Sequence, residues 1–428
     1  MRYLRTLLAV ALFASIAAAQ AQSPKEQLRA LQEQAVTAYK AGNFAECAKN
    51  FAAALAIRPH HPRLLYNFAA CSAKAGKTGD ALRALTEYAD MGLIADVEKD
   101  DDFASLRSTP AFNAVLDKIR ANGKPIGESR TVARLNERFL AEGIAFDPES
   151  QRFFVSSVDQ RKIVTIDANG DQHGWQSFEA AGLVQGAFGM AIDRKRGVLW
   201  VASSGVPQVR NLAAQDRGAN GVFSFRLIDI PRIMSIAMLP SRSEQNVIGD
   251  VAVLDDGAVY ATDSIAPSIY AITNDGYAID TWLTDEIFGS LQGLTSTPDN
   301  TQMIVADYAR GLHFIDRTTK ATTTIGYAGG TTLLGIDGLY RTGNRLIAIQ
   351  NGVAPIRILS MVLDASGHGI AGVNVISAND PNITEPSLGT IKGDEFCVVA
   401  NAQWSRFNDD GTRKQDLDPP YITCIKVK

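Results

Sequence analysis

The segment Glu142-Gly-Ile-Ala-Phe-Asp147 has five counterparts further along the chain, and this set of segments decides the fold. The counterparts are Phe188-Gly-Met-Ala-Ile-Asp193, Asp250-Val-Ala-Val-Leu-Asp255, Gln292-Gly-Leu-Thr-Ser296, Asp337-Gly-Leu-Tyr-Arg341 and Glu385-Pro-Ser-Leu-Gly389. Their first residues lie 46, 62, 42, 45 and 48 positions apart. Repeats of this length are typical of solenoids and propellers. Because short strands bounded by Gly, Asn and Asp turns fill them, we expect an all-β six-bladed propeller.

The strands of one blade can be placed along the sequence. In the first repeat we expect strands at Gly143–Phe146, Phe153–Val158, Lys162–Asp167 and Trp175–Phe178. The last repeat supplies only three strands and ends with Tyr421–Val427. Thr131–Leu135, which precedes the first repeat, can complete that blade. This closure would join the two ends of the ring and remove exposed strand edges.

A helical pattern precedes the propeller. From residue 24 to about residue 120, apolar and small residues recur at helical spacing. Two units repeat at 34 residues, with Gly42 matching Gly76. The pattern resembles the tetratricopeptide repeat, and a third helical pair containing Phe103 and Phe112 would cap the stack. We therefore expect a multidomain chain, with a tetratricopeptide-like helical domain at 24–120 and the propeller at 129–428.

The resemblance to tetratricopeptide repeats implies a protein or peptide partner for the helical domain. The alternative is that this domain only packs against the propeller. Nucleic acid is not an expected partner, because the net charge of −4 offers no basic footprint. We also expect no membrane span, since no stretch after the first 21 residues approaches the necessary length.

The first 21 residues have the pattern of a secretory signal peptide. Arg2 and Arg5 precede an apolar stretch from Leu7 to Ala19, and Ala19-Gln20-Ala21 fits a small-x-small cleavage site. The alternative is a buried N-terminal helix. We expect an exported protein, in a bacterial periplasm, where disulfides can form. The four cysteines would pair as Cys47–Cys71 and Cys397–Cys424, unless they are buried free thiols.

Propeller geometry gathers polar residues at one mouth of the channel. The starts of the inner strands and the ends of the second strands meet there. The starts include four acidic residues, which we predict to bind a metal: Glu142, Asp250, Asp337 and Glu385. Four further polar residues at this mouth are predicted to bind a ligand: Gln292, Asp263, Asp307 and Asn351. Two long connections, 205–220 and 402–420, leave the same face, and loops of that length often cover a site.

Several carboxylates around a narrow channel repel one another, so a cation or bound protons must offset their charge. Carboxylate and amide oxygens are the ligands that a hard divalent metal such as Ca²⁺ prefers. The sequence therefore predicts a divalent cation, with Ca²⁺ the best fit. The alternative is a water-filled channel whose acids cap turns and backbone donors.

With its Glu-Gly, Gln-Gly and Asp-Gly starts, the region from about residue 130 to 428 resembles the senescence marker/gluconolactonase/luciferin-regenerating family. The resemblance implies a divalent metal in the channel mouth and hydrolysis of sugar lactones. It places Glu142 and Asp250 at metal-binding positions. Gln292 stands where the family has an aspartate that binds the metal and serves as the base.

Glutamine cannot accept a proton at neutral pH, so the catalytic base is unknown. Asp337 or Asp307 could take that role. The sequence leaves two functions open. One is a ligand- and partner-binding scaffold with an acidic, metal-binding mouth. The other is a divalent-metal-dependent lactonase that acts on a small sugar-like substrate.

Overall fold

The computed structural model describes residues 23–427, so the predicted signal peptide lies outside the described part. A helical region comes first and a six-bladed propeller follows, as the sequence predicted. Within residues 23–427, no helix has the length and apolar character needed to cross a membrane.

The helical region contains α-helices that pair in antiparallel fashion along the chain. They are α1 (Pro24–Lys40), α2 (Phe44–Ile57), α3 (Pro62–Lys74), α4 (Thr78–Asp90) and α5 (Pro110–Asn122). Ser23 and Glu26 form a capping box that starts α1. Gly42 and Gly76 follow α1 and α3, in agreement with the 34-residue period. The third pair differs from expectation, because its first member, Asp101–Leu106, is a short 3₁₀ helix.

Six four-stranded antiparallel sheets form the propeller. Blade 1 contains β2 (Ala141–Asp147), β3 (Arg152–Ser157), β4 (Lys162–Ile166) and β5 (Gln172–Ser177). Blade 2 contains β6 (Gly186–Asp193), β7 (Val198–Ser204), β8 (Asn220–Arg226) and β9 (Ile233–Met238). Blade 3 contains β10 (Ile248–Val253), β11 (Val259–Asp263), β12 (Ser268–Thr273) and β13 (Ala278–Thr284).

Blades 4 to 6 repeat this arrangement. Blade 4 contains β14 (Leu291–Ser296), β15 (Gln302–Asp307), β16 (Gly311–Asp316) and β17 (Thr322–Ile325). A small hairpin, β18 (Tyr327–Ala328) and β19 (Thr331–Thr332), precedes blade 5. Blade 5 contains β20 (Ile336–Thr342), β21 (Arg345–Gln350), β22 (Arg357–Leu363) and β23 (Ile370–Ala378). Blade 6 contains β24 (Gly389–Lys392), β25 (Glu395–Val399) and β26 (Tyr421–Lys426).

The outer strand of blade 6 comes from the other end of the propeller sequence. It is β1 (Ser129–Arg134), which pairs antiparallel with β26. The predicted closure is therefore confirmed, with a strand that begins two residues earlier than expected. Both predicted disulfides are present, Cys47–Cys71 between α2 and α3 and Cys397–Cys424 between β25 and β26.

The repeated x-Gly start of the inner strands has a steric cause. A Cβ atom at Gly143 would lie 2.2 Å from the backbone oxygen of Phe188, at the start of the next blade. At Gly293 it would lie 2.3 Å from the backbone nitrogen of Leu339. Inner strands of neighbouring blades thus approach so closely at the mouth that a side chain does not fit. The glycine of the x-Gly motif is therefore needed where the inner strands converge, and the residue before it lies at the mouth of the channel.

The helical region packs beside the mouth, against blades 4 and 5. The buried Arg357, at the start of β22, donates a 2.8 Å hydrogen bond to the backbone oxygen of Met91. Thr331 donates to the same oxygen at 2.8 Å. The backbone N–H of Ile94 donates to Ala354, also at 2.8 Å. Buried polar contacts of this kind fix one orientation, because a lost partner leaves a buried group unsatisfied.

The closing blade should depend on its disulfide. Replacing Cys397 and Cys424 together with alanine should lower the free energy of unfolding by about 3 kcal/mol, because the crosslink closes a loop of 27 residues in the unfolded chain. Urea unfolding of the double variant measures this. The same change at Cys47 and Cys71 provides the matched comparison in the helical region. An unchanged unfolding midpoint for the blade 6 variant would show that strand pairing alone holds the ring closed.

Candidate functional site

Three of the predicted metal ligands converge in the channel. Glu142, Asp250 and Asp337 lie at the starts of β2, β10 and β20, the inner strands of blades 1, 3 and 5. Each is withdrawn from bulk solvent, and the charge of Asp337 acts on both of the other carboxylates. The structure therefore brings together, in a low-dielectric channel, three acids separated by many residues in sequence.

Burial and mutual repulsion hold protons in this cluster. Burial, together with the charges of Asp337 and Asp250, raises the pKa of Glu142 to about 8. Burial also raises the pKa of Asp250 to about 7, against the 2.9 Å hydrogen bond from the Val251 N–H. Burial raises the pKa of Asp337 to about 6, against a hydrogen bond from Asn351. At neutral pH the cluster carries both negative charge and protons.

The long connection between β25 and β26 covers the cluster. Its Trp404 donates a 2.6 Å hydrogen bond from the indole Nε1 to Glu142 Oε2, and the indole ring lies 6.1 Å from the ring of Phe188. The next residue, Ser405, donates to Glu385 through its backbone N–H at 2.9 Å and its hydroxyl at 2.6 Å. Glu385, a predicted metal ligand, thus holds this connection in place and stands at the edge of the cluster.

The second long connection, 205–220, contacts both blade 1 and the first connection, 402–420. The backbone N–H of Arg210 donates to the backbone oxygen of Asp159, and the guanidinium pairs with its carboxylate at 2.8 Å. Gln208 donates to the backbone oxygen of Asn408 at 3.5 Å. The two connections together cover the mouth on the side of blades 1, 2 and 6, opposite the helical region. The expectation that they cover the site agrees with this placement.

Asn351 and Gln292 lie beside the cluster. Asn351 donates from Nδ2 to Asp337 at 2.7 Å and to the Pro386 carbonyl at 2.9 Å, while its Oδ1 is buried without a partner among the described residues. Gln292 accepts from the Ser264 hydroxyl at 3.3 Å and donates to the Ser290 hydroxyl at 3.1 Å. The ligand-binding role of both side chains stays a prediction.

Asp263 and Asp307 have a different environment from the one we expected. Both are completely buried. Asp263 accepts hydrogen bonds from the backbone of Val247, Ile265 and Ala266, and Asp307 accepts them from Gly289, Ser290 and Ala309. Each carboxylate thereby ties the loop between two blades to the end of a second strand. Their ligand-binding role stays a prediction, and their oxygens already have structural partners.

Sequence reasoning missed Trp404 and Tyr340. The hydroxyl of Tyr340 accepts a hydrogen bond from the Gly389 N–H, and burial, with a smaller effect of the acidic cluster, holds the pKa of Tyr340 well above the usual range. A signal for Trp404 existed, since it lies in a long connection whereas Trp175, Trp200 and Trp282 lie in strands. No pattern in the sequence indicates that its indole reaches Glu142.

The donor set suits a hard cation in its chemistry. The available atoms are carboxylate oxygens and the unpartnered amide oxygen of Asn351. Over residues 23–427, however, no three His, Cys, Asp or Glu side chains are grouped closely enough to hold one ion. A cation here would therefore be held by fewer carboxylates, together with amide oxygens and water.

Comparisons with known proteins describe the propeller region. No family model matches the chain, and no curated protein matches it by sequence. Among solved structures, a gluconolactonase from Xanthomonas campestris is 12% identical over 72% of this chain and 92% of its own, with a TM-score of 0.46. A luciferin-regenerating enzyme is 14% identical over 71% and 96%, with a TM-score of 0.46. Virginiamycin B lyase from Staphylococcus aureus is 12% identical over 70% and 99%, with a TM-score of 0.45.

The fold and the site define the class of protein. It is a six-bladed β-propeller preceded by a helical region, with a covered acidic cluster in the channel. The first two neighbours belong to the families that the x-Gly starts resemble. These similarities concern architecture, and no activity is carried over from them.

The proton-holding cluster predicts a pH dependence of stability. Glu142, Asp250 and Asp337 have raised pKa values when folded and ordinary values near 4 when unfolded, so the folded state binds more protons between about pH 4 and pH 8. The stabilisation from these groups is complete below that range and is lost as the pH rises through the folded values. Glu142→Gln keeps the shape and removes one such group. With metal removed by a chelator, the free energy of unfolding of this variant should fall less between pH 5 and pH 8 than that of the wild type.

Urea unfolding at a series of pH values measures this difference. The exposed Glu149→Gln serves as the matched control, and it should follow the wild type. If Glu142→Gln and the wild type share the same pH slope, Glu142 does not retain a proton in the folded protein.

Proposed function

We propose that the chain is an exported binding protein whose propeller mouth holds a divalent cation, with Ca²⁺ the best fit. The convergence of Glu142, Asp250 and Asp337 beneath Trp404 carries this proposal. Repulsion among these carboxylates makes the cluster a place where positive charge is favourable. A cation of suitable radius can replace the protons, because metal binding to carboxylates releases protons.

The donor arrangement supports the choice of cation. Two of the three carboxylates of Glu142, Asp250 and Asp337 would supply oxygens, and water and Asn351, whose amide oxygen has no other partner among the described residues, would complete the set. Ca²⁺ accepts such mixed oxygen sets and tolerates irregular geometry, whereas Mg²⁺ requires a near-ideal octahedron. Because Trp404 donates to Glu142, the connection between β25 and β26 covers the cluster when no cation is bound. Cation binding at Glu142 would compete with this hydrogen bond and couple the ion to the position of the connection.

A ligand in the mouth would contact the same surroundings. Gln292 and Asn351 offer amide groups near the channel, as sugar hydroxyls require. Trp404 offers an aromatic face, which packs against the apolar faces of sugar rings. We therefore propose a small sugar-like ligand that enters when the connection carrying Trp404 moves. This ligand would bind next to the cation, on the open side of the cluster.

The helical region packs against the propeller, and we also propose that it binds a partner. Tyr66 donates to Asp100 at 2.6 Å and Tyr39 donates to Asp102 at 2.7 Å. These hydrogen bonds attach α3 and α1 to the first turn of the 3₁₀ helix. This arrangement fastens the module that packs beside the mouth. A protein or peptide partner remains a proposal, and the open surface of α1 around Val36 is where it would bind.

Export rests on two separate observations. The signal-peptide pattern of the first 21 residues precedes the described structure. The two disulfides of the described structure suit an oxidising compartment such as a periplasm.

A second candidate function is hydrolysis of a sugar lactone. The observation that favours it is the 2.7 Å hydrogen bond from Asn351 to Asp337, which lowers the pKa of Asp337 against the larger effect of burial, while burial and the charge of Asp337 raise the pKa of Glu142. Asp337 is therefore the acid of this pair that is ionised near pH 7, and an ionised carboxylate can accept a proton from water. Asp307, the other base considered, is completely buried and already accepts several hydrogen bonds.

In that reaction the residues would have defined tasks. Asp337 would take the proton of the attacking water while the water oxygen forms the new bond to the lactone carbonyl carbon. The same proton would then pass to the ring oxygen as the ring C–O bond breaks. Asn351 would hold Asp337 in place through its 2.7 Å hydrogen bond. A bound cation would supply polarisation of the carbonyl oxygen. The product would be the open hydroxy acid.

Metal titration tests the binding proposal. Ca²⁺ should raise the melting temperature of metal-stripped protein, because a ligand that binds only the folded state stabilises it, by about 2.7 kcal/mol at a hundredfold excess over Kd. Glu142→Gln and Asp337→Asn should reduce the shift, and Glu149→Gln should not. If Ca²⁺, Mg²⁺, Mn²⁺ and Zn²⁺ all leave the melting temperature unchanged, the cluster is not a metal site.

A panel of aldonolactones separates the two functions. The binding proposal expects no hydrolysis by the metal-loaded protein. Hydrolysis that Asp337→Asn abolishes would establish the enzyme instead.

A further inference from the structure

A second cluster of charge lies between the helical region and the propeller, and it is positive. A cavity of about 400 Å³ opens there, lined by residues that follow α2, by the loop after β15 and by the hairpin before blade 5. Arg58 reaches it from the helical region and Arg310 from blade 4. Its size is in the range of cavities that take small organic ligands.

The two arginines lack a counter-ion within ion-pair distance. Over residues 23–427, neither Arg58 nor Arg310 forms a salt bridge, and the one hydrogen bond of the Arg58 guanidinium is donated to the Ala309 carbonyl at 3.4 Å. Both guanidinium groups are only partly exposed. Burial and the charge of Arg310 lower the pKa of Arg58 to about 10, so both groups stay charged at neutral pH. Two like charges held together in a half-buried cavity are destabilising unless an anion joins them.

A buried carboxylate of blade 4 offsets only part of this charge. Asp307 acts on both arginines from a distance, but its oxygens accept hydrogen bonds from His313 at 3.0 Å and from the backbone of Gly289 and Ala309. The cavity therefore keeps an excess of about one positive charge. One ligand carboxylate would balance it, and a multiply charged anion would exceed it.

A third polar group points to the same conclusion. The ring Nδ1 of His61 is buried without a hydrogen-bond partner in the described structure, and His61 lines the cavity. Burial, with the charge of Arg58, lowers the pKa of His61 to about 4, so the ring is neutral near pH 7. A neutral imidazole carries a single N–H donor, so His61 adds a polar group to the lining without adding charge.

The rest of the lining is apolar. Ile57, Ile287 and Leu334 contribute aliphatic walls, and Tyr327 presents a ring that stacks on His60 with centroids 4.2 Å apart. A few convergent polar groups in an otherwise apolar cavity are the usual pattern of a small-molecule site. The cavity is closed only when the helical region sits on the propeller, because each side supplies one arginine.

We propose that this cavity is a binding site for a small organic monocarboxylate with an apolar body. The carboxylate would bind between Arg58 and Arg310, within reach of His61, and the apolar body would pack against Ile57, Ile287 and Tyr327. This site is separate from the acidic channel and does not depend on the cation. Because the ligand bridges both parts of the chain, it would strengthen the contact between the helical region and blade 4.

Phenylacetate and its neutral analogue phenylacetamide test the site in the purified protein. Phenylacetate should raise the melting temperature, whereas phenylacetamide and inorganic phosphate should not, because the first lacks the charge and the second lacks the apolar body. Arg310→Met and Arg58→Met should each weaken phenylacetate binding by about tenfold or more, measured by calorimetry. Arg63→Met, an exposed arginine on the neighbouring helix, should bind as the wild type does.

The ligand-free variants give an independent readout. Since the two guanidinium groups repel, Arg310→Met without ligand should be at least as stable as the wild type, and Arg310→Gln provides the polar version of the same change. Three results would overturn the proposal: no stabilisation by phenylacetate, equal stabilisation by phenylacetamide or phosphate, or a loss of stability in both ligand-free Arg310 variants. The last result would assign Arg310 a structural role.

Discussion

The repulsion among Glu142, Asp250 and Asp337 is the constraint on which the account of this molecule depends. Six inner strands converge on the channel, and in four of them the first residue is followed by a glycine at which a side chain would not fit. This convergence brings the three carboxylates into one channel. Their charge cannot remain unbalanced there. In the ligand-free protein, bound protons offset this charge, because burial and the charge of Asp337 raise the pKa of Glu142 against the hydrogen bond from Trp404. A bound cation can offset the same charge, and the proposed function depends on the exchange of protons for a cation.

The surroundings of the channel follow from its closure. Blade 6 is completed by β1, and the disulfide Cys397–Cys424 links the two neighbouring strands of the same blade. Between those strands runs the connection that carries Trp404 over the mouth. On the opposite side, Arg357 fixes the helical region through the Met91 carbonyl. One face of the propeller therefore carries an acidic cluster in its centre and a basic cavity at its rim, where Arg58 and Arg310 meet.

Much of this architecture could be predicted from the sequence, because repetition has a simple physical meaning. The spacing of the x-Gly starts predicted the blade number, the closing strand and the acids at the mouth. The helical period and both cysteine pairs were also readable, since each depends on local spacing. The short 3₁₀ helix at Asp101–Leu106 was not, because a six-residue apolar pattern does not distinguish it from an α-helix.

The details of the site were harder to predict, for a related reason. A position at the mouth does not reveal which way a side chain turns. Asp307 turns to the backbone of its own loop, Glu385 turns to Ser405, and Glu142 turns to an indole 262 residues away. Such choices depend on long-range contacts that no repeat encodes. Arg58 and Arg310 gave no signal either, since their proximity arises only when the two parts of the chain pack together.

Proton release on Ca²⁺ binding is the measurement that tests the central claim most directly. Calorimetric titration of metal-free protein at pH 7, in two buffers with different enthalpies of ionisation, reports the number of protons lost per ion. If a cation displaces the protons held by Glu142 and Asp250, about one proton should be released per ion, and release should decline toward zero well above pH 8. Binding without proton release at pH 7, or no binding at all, would contradict the account.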